Sequence, residues 1–419
     1  MKKIAIIAPE TVPLPLKENF PPIMLEGNKE FDTKDKCLRA TAPGKRSWKF
    51  AENLSKYKDF SVTLFVPNLN MPDAQYIDFD KINFDLKSYS FKAANWEWSE
   101  ELDKRLIEYD FVIIQLTTGT GFQNCAVLPK EVNVIVDGWI PFPAELPCAI
   151  LHYNRIYRKI FWSQKFIPQY QNLLRRANCV LYASDRQNYY YEGQFFMIQK
   201  LDWSSFKFSP LLKVPQGIDI NTKIVKKPTN SDKLKLLWFG SAYPWYNSNT
   251  LIEKLKNNSD IDIDFVGVEH PRFKKVYDAD FKRSFEYAKK RTSNIRVIEN
   301  YYDTCEDLFP NYDAGIILAQ NWLEEKYAYR CRILDMVSYG LPVIINEGNT
   351  LYDELPYMRP ALHPVSSETL VDDLIKIKEK KEQLIITDEE LLKIQKNMNW
   401  ETIIAPLANY IERFGYDKA

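Results

Sequence analysis

Two arginines and an aspartate lie close together late in the chain, directly before a turn that opens an apolar strand. The stretch reads RCRILDMVSYGLPVIINEG, from Arg330 to Gly348. If its first half is a helix, Arg332 and Asp335 lie one turn apart on one face, with Arg330 in the preceding loop or the first turn. Guanidinium groups beside the free NH groups of a helix N-terminus suit a diphosphate, and a carboxylate can accept hydrogen bonds from hydroxyls. An ordinary arginine–aspartate surface pair explains the same spacing.

The surrounding elements follow a parallel α/β pattern. Apolar runs such as KIAIIAP, SVTLFVP, FVIIQL and NVIVDGW predict buried strands, and GKRSWKFAENLSKY and ELDKRLIEY predict helices between them. A polar, lysine-rich segment interrupts the pattern, which restarts at LKLLWFGS. We predict two doubly wound, Rossmann-like domains that face a central cleft holding the ligand.

The predicted boundaries follow from that interruption and from the last amphipathic stretch. Residues 1–222 form the first domain, 223–233 the linker and 234–399 the second domain. Residues 400–419 form a helix that either caps the second domain or crosses back to the first.

Composition argues against several classes of function. Lysine plus arginine and aspartate plus glutamate both number 56, so no global field draws the chain to nucleic acid. Six scattered cysteines and three histidines give no zinc pattern and no disulfide framework. The short N-terminal apolar run is typical of a first strand rather than a signal peptide, and no run approaches the length of a membrane span. We expect a reduced, cytoplasmic protein.

The opening stretch resembles the donor-binding segment of glycosyltransferase family 4, where an acid, a helix and a second acid precede Gly-Leu-Pro-Val. Further stretches resemble that family in the same order: APGKRSWKFAENLS, VIVDGWIPFPAE, ANCVLYASDRQNYYYEG, VPQGID, LLWFGSAYPWYNSNTLI and FVGVEHP. The resemblance runs from about Pro43 to Gly348. It implies the GT-B fold, a nucleoside-diphosphate sugar as co-substrate, transfer with retention of anomeric configuration, and no metal or other cofactor.

The resemblance also assigns acidic residues of the donor site. Asp335, five residues before Gly340, falls where the family binds the ribose, and we expect Gly340 and Tyr327 to contact the donor as well. The first acid of the family falls at Tyr327, which is a departure. We expect Glu324 or Glu325 to supply the missing carboxylate, with Glu324 the candidate catalytic one.

A second departure concerns the diphosphate. Family members often carry an arginine and a lysine in the loop after the first strand of the second domain, but here that loop reads GSAYPWYN. Arg330 and Arg332 are the nearest substitutes and are our candidate catalytic cations. Gly240, Ser241 and Trp245 are expected to line the same loop and contact the donor.

Two residues of the first domain are candidates for the donor side. Gly44 is expected in a loop between strand and helix, where glycine lets the backbone approach a phosphate or sugar closely. The neighbouring Arg46 adds charge. A plain helix start with solvated basic residues explains both.

Other polar residues of the first domain are candidates for contacts with the donor and the acceptor. Asp137 ends a strand and is a candidate catalytic carboxylate, and Glu145 follows a proline-rich loop as a candidate acceptor-binding residue. Both could equally be caps. In ASDRQNYYYEG we expect Asp185 to be the helix N-cap and Arg186 to bind the acceptor.

One stretch imitates a metal site. DIDID at residues 260–264 has the Asp-x-Asp spacing that binds manganese in another glycosyltransferase architecture. Because the aspartates alternate with isoleucines, the pattern favours a half-exposed strand, and we predict no metal.

We therefore predict a hexosyl- or related glycosyltransferase that passes a sugar to a glycan or lipid-linked glycan, in cell-surface polysaccharide or glycan assembly. The polar loop from Pro13 to Ala42 is our hypothesis for acceptor selection. The basic, aromatic segment at 152–178 fits either peripheral association with the inner face of the membrane or ordinary core packing. Two alternatives stay open: a non-catalytic carbohydrate-binding or assembly protein on the same scaffold, and a nucleotide-sugar epimerase or hydrolase.

Overall fold

The structure is a computed structural model that describes residues 1–18, 31–32, 37–38, 40–68, 72–92, 97–98, 100–116, 128–141, 143–145, 156, 160, 164, 166–202, 207–208, 211–220, 229–243, 245–267, 286, 293–298, 305–320 and 323–414. Most of the Pro13–Ala42 loop, much of the 152–178 segment and residues 223–228 of the predicted linker lie outside the described residues. The chain divides into two compact units. Unit 1 combines Met1–Phe142, Asn154–Gln216 and Trp400–Ala419, and unit 2 combines Pro143–Tyr153 and Gly217–Asn399.

Unit 1 is built on a seven-stranded parallel sheet. Its strands are β1 (Lys2–Ile7), β2 (Phe60–Pro67), β3 (Asp85–Tyr89), β4 (Phe111–Gln115), β5 (Asn133–Asp137), β6 (Cys179–Tyr182) and β7 (Leu211–Lys213). They lie in the order β7-β6-β5-β4-β1-β2-β3. Every residue of β4 and β5 is buried, as expected for central parallel strands covered on both faces.

The described part of unit 1 contains four helices before the last one. They are α1 (Ala42–Leu54), α2 (Glu100–Leu106), α3 (Ile167–Arg176) and α4 (Asp185–Met197). Two 3-10 turns (Ala74–Tyr76 and Phe79–Lys81) and three two-stranded antiparallel pairs complete its described elements: Phe31–Asp32 with Cys37–Leu38, Phe91–Lys92 with Glu97–Trp98, and Leu201–Asp202 with Lys207–Phe208.

Unit 2 is built on a six-stranded parallel sheet. Its strands are β8 (Leu234–Phe239), β9 (Ile261–Val266), β10 (Ile295–Ile298), β11 (Ala314–Ile317), β12 (Val343–Asn346) and β13 (Leu362–Val365), in the order β10-β9-β8-β11-β12-β13. Both sheets thus share the doubly wound strand order of dinucleotide-binding folds. The predicted α/β class with two Rossmann-like sheets is confirmed.

The helices of unit 2 surround that sheet. They are α5 (Ser248–Leu255), α6 (Cys305–Leu308), α7 (Leu323–Tyr327), α8 (Cys331–Ser338), α9 (Thr350–Glu354), α10 (Leu370–Glu379) and α11 (Asp388–Met398), with 3-10 turns at Phe309–Asn311, Pro356–Ala361 and Lys381–Leu384.

The last helix, α12 (Trp400–Arg413), belongs to unit 1 and packs on α1. The Trp400 ring meets Phe50 edge to face at 6.3 Å between centroids, and Lys56 pairs with Glu401 at 2.7 Å. Its apolar face joins the core of unit 1 through Ile403, Ile404, Leu407, Ala408 and Ile411. Within the described part of the chain, every helix is too short or too polar to cross a membrane.

Candidate functional site

The second sheet reverses its strand order between β8 and β11. Successive strands from β8 extend the sheet in one direction, and β11 then starts again on the other side of β8. In such sheets the carboxyl ends of these two strands flank the crevice that takes a ligand. At this edge, Tyr246 forms an isolated bridge with Ala319, and the Asn247 NH donates to the Leu318 carbonyl at 2.8 Å. The turn after β8 and the end of β11 are therefore held side by side.

The turn after β8 is built around a glycine with a positive φ. Gly240 has φ 94°, and its NH donates to the Val266 carbonyl at 2.8 Å. Arg332 donates from Nη1 to the Ser241 carbonyl at 3.0 Å. A Cβ at Gly240 would lie 3.1 Å from the guanidinium carbon of Arg332. The missing side chain therefore leaves room for an arginine from α8 to lie against this turn.

Helix α8 is fixed at its C-terminal end and against the sheet. Gly340, with φ 80°, donates to the Val337 carbonyl at 2.9 Å, and Leu341 donates to the Met336 carbonyl at 3.1 Å. This is the Schellman arrangement, which favours glycine. Gly315 in β11 allows the helix to approach, because a Cβ there would lie 2.3 Å from the Met336 sulfur. Gly340, predicted to bind the donor, thus ends the helix that carries Arg332.

Arg330 precedes α8 and is neutralised by two glutamates of α7. Its Nη1 and Nη2 donate to the two carboxylate oxygens of Glu324 at 2.8 and 2.7 Å, and Nη2 also pairs with Glu325. The side chains of Arg330 and Glu324 are only 6% and 3% exposed. Burial raises the pKa of Glu324 despite the arginine. Burial alone would lower the pKa of Arg330, but the glutamates outweigh it and hold that pKa well above its usual range.

Glu324 and Glu325 are the two residues that we expected to replace the acid at Tyr327. Both are engaged by Arg330, so neither carboxylate is presented alone to a sugar. Tyr327 itself closes α7 and is half-buried, as is Asp335 in α8. Of the two arginines, Arg332 is the more accessible, and its guanidinium donates to a neutral carbonyl.

One aromatic ring, that of Tyr246, lies against both arginines. The guanidinium carbons of Arg330 and Arg332 lie 4.8 and 4.3 Å from the centroid of the Tyr246 ring. Trp245, predicted to line the loop, is 5% exposed and stacks on Tyr243 with 4.4 Å between centroids. The edge of the second sheet thus combines an accessible arginine with a glycine turn, which suit a diphosphate, and buried aromatic rings support both.

Two predicted site residues of the first unit, Arg46 and Asp137, bind each other in its interior. Arg46 donates from Nε and Nη2 to the Asp137 carboxylate at 2.7 and 2.9 Å, and to the carbonyls of Val214 and Pro215 at 2.6 and 2.7 Å. Both side chains of the ion pair have no exposed surface. Burial raises the pKa of Asp137, and Arg46 offsets part of that rise. In this structure the pair ties α1 to β5 and the turn after β7, and it offers no surface to a donor.

Gly44 lies in the first turn of α1 and not in a loop, which corrects our expectation. The Thr41 hydroxyl caps this helix by accepting from the Gly44 NH at 3.3 Å. A Cβ at Gly44 would lie 1.8 Å from the Thr11 carbonyl oxygen. The close approach that glycine permits is therefore made by the chain's own backbone after β1.

The predicted cap of α4 is also one residue off. Ser184 is the N-cap, and its hydroxyl accepts from the Gln187 NH at 3.2 Å, while Asp185 is the first helical residue and pairs with Lys213 at 2.7 Å. Serine takes the position because its short side chain reaches back to the third NH of the helix. Glu145, which we expected in the first domain, belongs to unit 2, whereas Arg186 belongs to unit 1. Both are half-buried, and their acceptor-binding roles stay predictions.

Residues 261–264 of the DIDID stretch lie in β9, and the expected half-exposure is wrong for Asp264. This aspartate is 3% exposed, whereas Asp262 of the same strand is half-buried. Its carboxylate accepts from Arg296 Nε and Nη2 at 2.7 Å each and from the Tyr312 hydroxyl at 2.7 Å. Over the described residues, no group of three or more histidine, cysteine or acidic side chains could hold a metal ion.

Sequence analysis missed three residues that shape these regions. Tyr246 contacts the two arginines, and Gly315 lies against α8, as described above. Gln115, at the end of β4, donates to the Ser47 hydroxyl at 2.8 Å and the Pro43 carbonyl at 2.9 Å, which fixes the start of α1. A polar residue closing an otherwise apolar strand was the available signal for Gln115. The other two depend on contacts across the fold.

The chain is similar to known proteins in its fold rather than in its sequence. No protein-family model and no curated protein sequence matches the chain. Among solved structures, the chain is similar to a sucrose-phosphate synthase from Thermosynechococcus elongatus, with a TM-score of 0.65, 12% identity and full coverage of both chains. It is also similar to Anabaena HepE in complex with UDP, with a TM-score of 0.59, 12% identity, and coverage of 99% of this chain and 100% of that one.

A third similar structure is a glycosyltransferase from Rickettsia africae, with a TM-score of 0.57, 12% identity and 99% coverage of each chain. HepE has also been solved in complex with UDP-glucose. At this level of identity the likeness shows the fold. The two units of this chain have the fold of GT-B glycosyltransferases.

Proposed function

We propose that the chain is a glycosyltransferase that binds a nucleoside-diphosphate sugar at the carboxyl edge of the second sheet and passes the sugar to a glycan or lipid-linked glycan. The observation that carries the proposal is Arg332, which lies against the Gly240–Ser241 turn at the point where the strand order reverses. A cation at that point is placed to hold the diphosphate. The UDP and UDP-glucose complexes of HepE, a protein of the same fold, support this choice of ligand.

In the proposed mechanism, Arg332 offsets the negative charge that develops on the departing diphosphate. Such stabilisation is effective because the arginine is positioned before the reaction and needs little reorganisation. The Arg330–Glu324 pair orients α7 against the start of α8, and Asp335 accepts hydrogen bonds from the ribose. Glu145 and Arg186 are assigned to binding the acceptor.

The finer features of the proposal come from the resemblance to family 4. They are retention of anomeric configuration, independence of metal ions and cofactors, and a role in cell-surface polysaccharide or glycan assembly at the cytoplasmic face of the membrane. The likeness of the fold supports glycosyl transfer in general, and each finer feature requires its own assay.

A second candidate, a non-catalytic nucleotide- or carbohydrate-binding protein, is favoured by one observation. Arg330 is neutralised by the same two glutamates that would have replaced the acid at Tyr327. A site with one accessible arginine and without that carboxylate fits binding without turnover.

Transfer assays separate the two candidates. The purified chain is incubated with UDP-, GDP- and ADP-sugars and a set of glycan acceptors, with and without EDTA, and release of the nucleoside diphosphate is measured. We expect release from one donor class that EDTA leaves unchanged and that Arg332→Ala abolishes, with a product whose anomeric configuration, measured by NMR, matches the donor. The matched control is Arg359→Ala, which removes an exposed arginine that lies over the Tyr352 ring elsewhere in unit 2. Saturable binding without release of any donor's diphosphate would favour the non-catalytic candidate.

A further inference from the structure

The Tyr246 ring contacts both arginines of the candidate site. Its centroid lies 4.3 Å from the guanidinium carbon of Arg332 and 4.8 Å from that of Arg330. We infer that Tyr246 is a positioning residue. Its ring holds Arg332 toward the Gly240–Ser241 turn and away from the glutamates that pair with Arg330. This inference rests on the proposed function, because it concerns how that site presents its cation to a diphosphate.

Tyr246 is fixed well enough to serve this purpose. The residue is 4% exposed, and its backbone forms the bridge to Ala319. Its ring meets Trp238 edge to face, with 5.5 Å between centroids and an interplanar angle of 87°. Trp238 is fully buried and donates from Nε1 to the Gly240 carbonyl at 3.0 Å. The ring is therefore anchored to the same turn that Arg332 contacts.

The distribution of charge explains why an aromatic partner matters here. Two carboxylates, Glu324 and Glu325, lie in the neighbouring helix and attract any nearby cation. Arg330 already pairs with both, and Arg332 lies close enough to contribute to the environment of Glu324. A side chain as long as Arg332 needs a contact that holds it on the turn rather than against the glutamates.

A ring provides that contact without neutralising the arginine. The face of an aromatic ring attracts a guanidinium through its quadrupole but carries no net charge. Arg332 is thus oriented by Tyr246 and by the Ser241 carbonyl, two neutral groups, whereas Arg330 is held by two anions. The two arginines therefore have different roles. Arg330 supports the structure, and Arg332 offers its charge to a ligand.

The test separates phosphate recognition from general folding. UDP, GDP, ADP and the matching nucleosides are each titrated into the protein. The dissociation constant of each nucleoside, divided by that of its diphosphate, gives the contribution of the diphosphate. The ratio is measured for the native chain and for Tyr246→Phe, Tyr246→Leu, Tyr246→Met and Arg332→Ala. Tyr352→Leu removes another ring of unit 2 that lies beneath an arginine, Arg359, and serves as the matched control.

We expect Tyr246→Phe to keep the native ratio, because it keeps the ring. Tyr246→Leu and Tyr246→Met should lower the ratio by roughly 2-fold to 30-fold, the range of a cation–π contact, while affinity for the nucleoside stays the same. If the ratio falls in Arg332→Ala but is native in the folded ring-free variants, the role of Tyr246 is overturned and the proposed function stands. If Arg332→Ala leaves the ratio unchanged, or no nucleoside diphosphate binds the native chain, the proposed function fails together with this inference.

Discussion

At the scale of single residues, the buried ion pair of Arg46 and Asp137 shows how a candidate site residue can instead belong to the interior. Four donations leave Arg46 for Asp137 and two backbone carbonyls, and neither side chain reaches solvent. Its guanidinium also lies 4.5 Å from the centroid of the Phe50 ring. Charges buried this fully persist only when each has its partner.

Removing one member of that pair should therefore destabilise unit 1. We expect Asp137→Ala to lower the free energy of unfolding by about 3 to 5 kcal/mol, because it leaves a buried guanidinium without its counter-ion. The double variant Arg46→Met/Asp137→Leu should recover most of the loss. Urea unfolding measures both. A single variant as stable as the native chain would show that the pair is not buried.

His363 predicts a dependence of stability on pH. It lies in β13, its Nε2 has no hydrogen-bond partner among the described residues, and burial lowers its pKa below the ordinary value. Because the unfolded chain takes up the proton more readily, the stability from this group is present above about pH 6.5 and is lost as the pH falls.

The measurement is the melting temperature between pH 7.5 and 5.5. The native chain should lose more stability across this range than His363→Gln, in which the titrating group is absent. Equal slopes for the two proteins would mean that His363 is protonated as readily in the folded chain as in the unfolded one.

At the scale of elements, the sequence predicted the kinds of structure better than the contacts between them. The apolar runs did form strands, and RCRILDMVSYG did contain a helix, Cys331–Ser338, that is followed by the glycine at 340. Periodicity cannot show which strand a helix covers, however. The roles of Gly315 and Tyr246 depend on that packing, so neither could be predicted from the residues around it.

The same limit explains the errors in unit 1. A glycine before a basic, amphipathic stretch fits a phosphate-binding loop and a helix start equally well. What decided between them is the approach of the Thr11 backbone to Gly44, a contact 33 positions distant in sequence. Likewise, Asp264 is buried and bonded to Arg296 and Tyr312, whereas Asp262 of the same strand is half-buried, and alternation along one strand does not show what covers each residue.

Helix α8 should move if its approach to the sheet is blocked. Gly315→Ala places a Cβ where the Met336 side chain now lies, so we expect a loss of about 1 to 3 kcal/mol in unfolding free energy and weaker nucleotide binding through Arg332. In a Met336→Ala background the same substitution should cost less, since the space is already open. Additive effects of the two changes would contradict direct contact between these residues.

At the scale of the whole molecule, the division into units is discontinuous in sequence. Sequence analysis placed the linker at 223–233, whereas the compact units change over after residues 142, 153, 216 and 399. The interior of unit 1 includes six buried residues of α12: Trp400, Ile403, Ile404, Leu407, Ala408 and Ile411. Unit 1 therefore depends on a helix that follows unit 2 along the chain.

A chain that ends at Asn399 should not form a stable unit 1. Each large apolar side chain removed from the core costs about 1.5 to 3 kcal/mol, and the sum for α12 is comparable to the whole stability of a domain, about 5 to 15 kcal/mol. Limited proteolysis should degrade residues 1–216 of this variant before the rest. A chain that ends at Phe414 is the control, and protection of the first unit in the shorter variant would contradict the expectation.

The central claim is that Arg332 binds the diphosphate of a nucleotide sugar at the edge of the second sheet. Isothermal titration of UDP, GDP and ADP into the native chain, Arg332→Ala and Arg359→Ala tests it most directly. We predict that one nucleotide binds the native chain and Arg359→Ala alike, and binds Arg332→Ala roughly 10-fold to 100-fold more weakly, as expected for loss of a hydrogen-bonded charge. Equal affinity in Arg332→Ala, or no binding to the folded native chain, would contradict the claim.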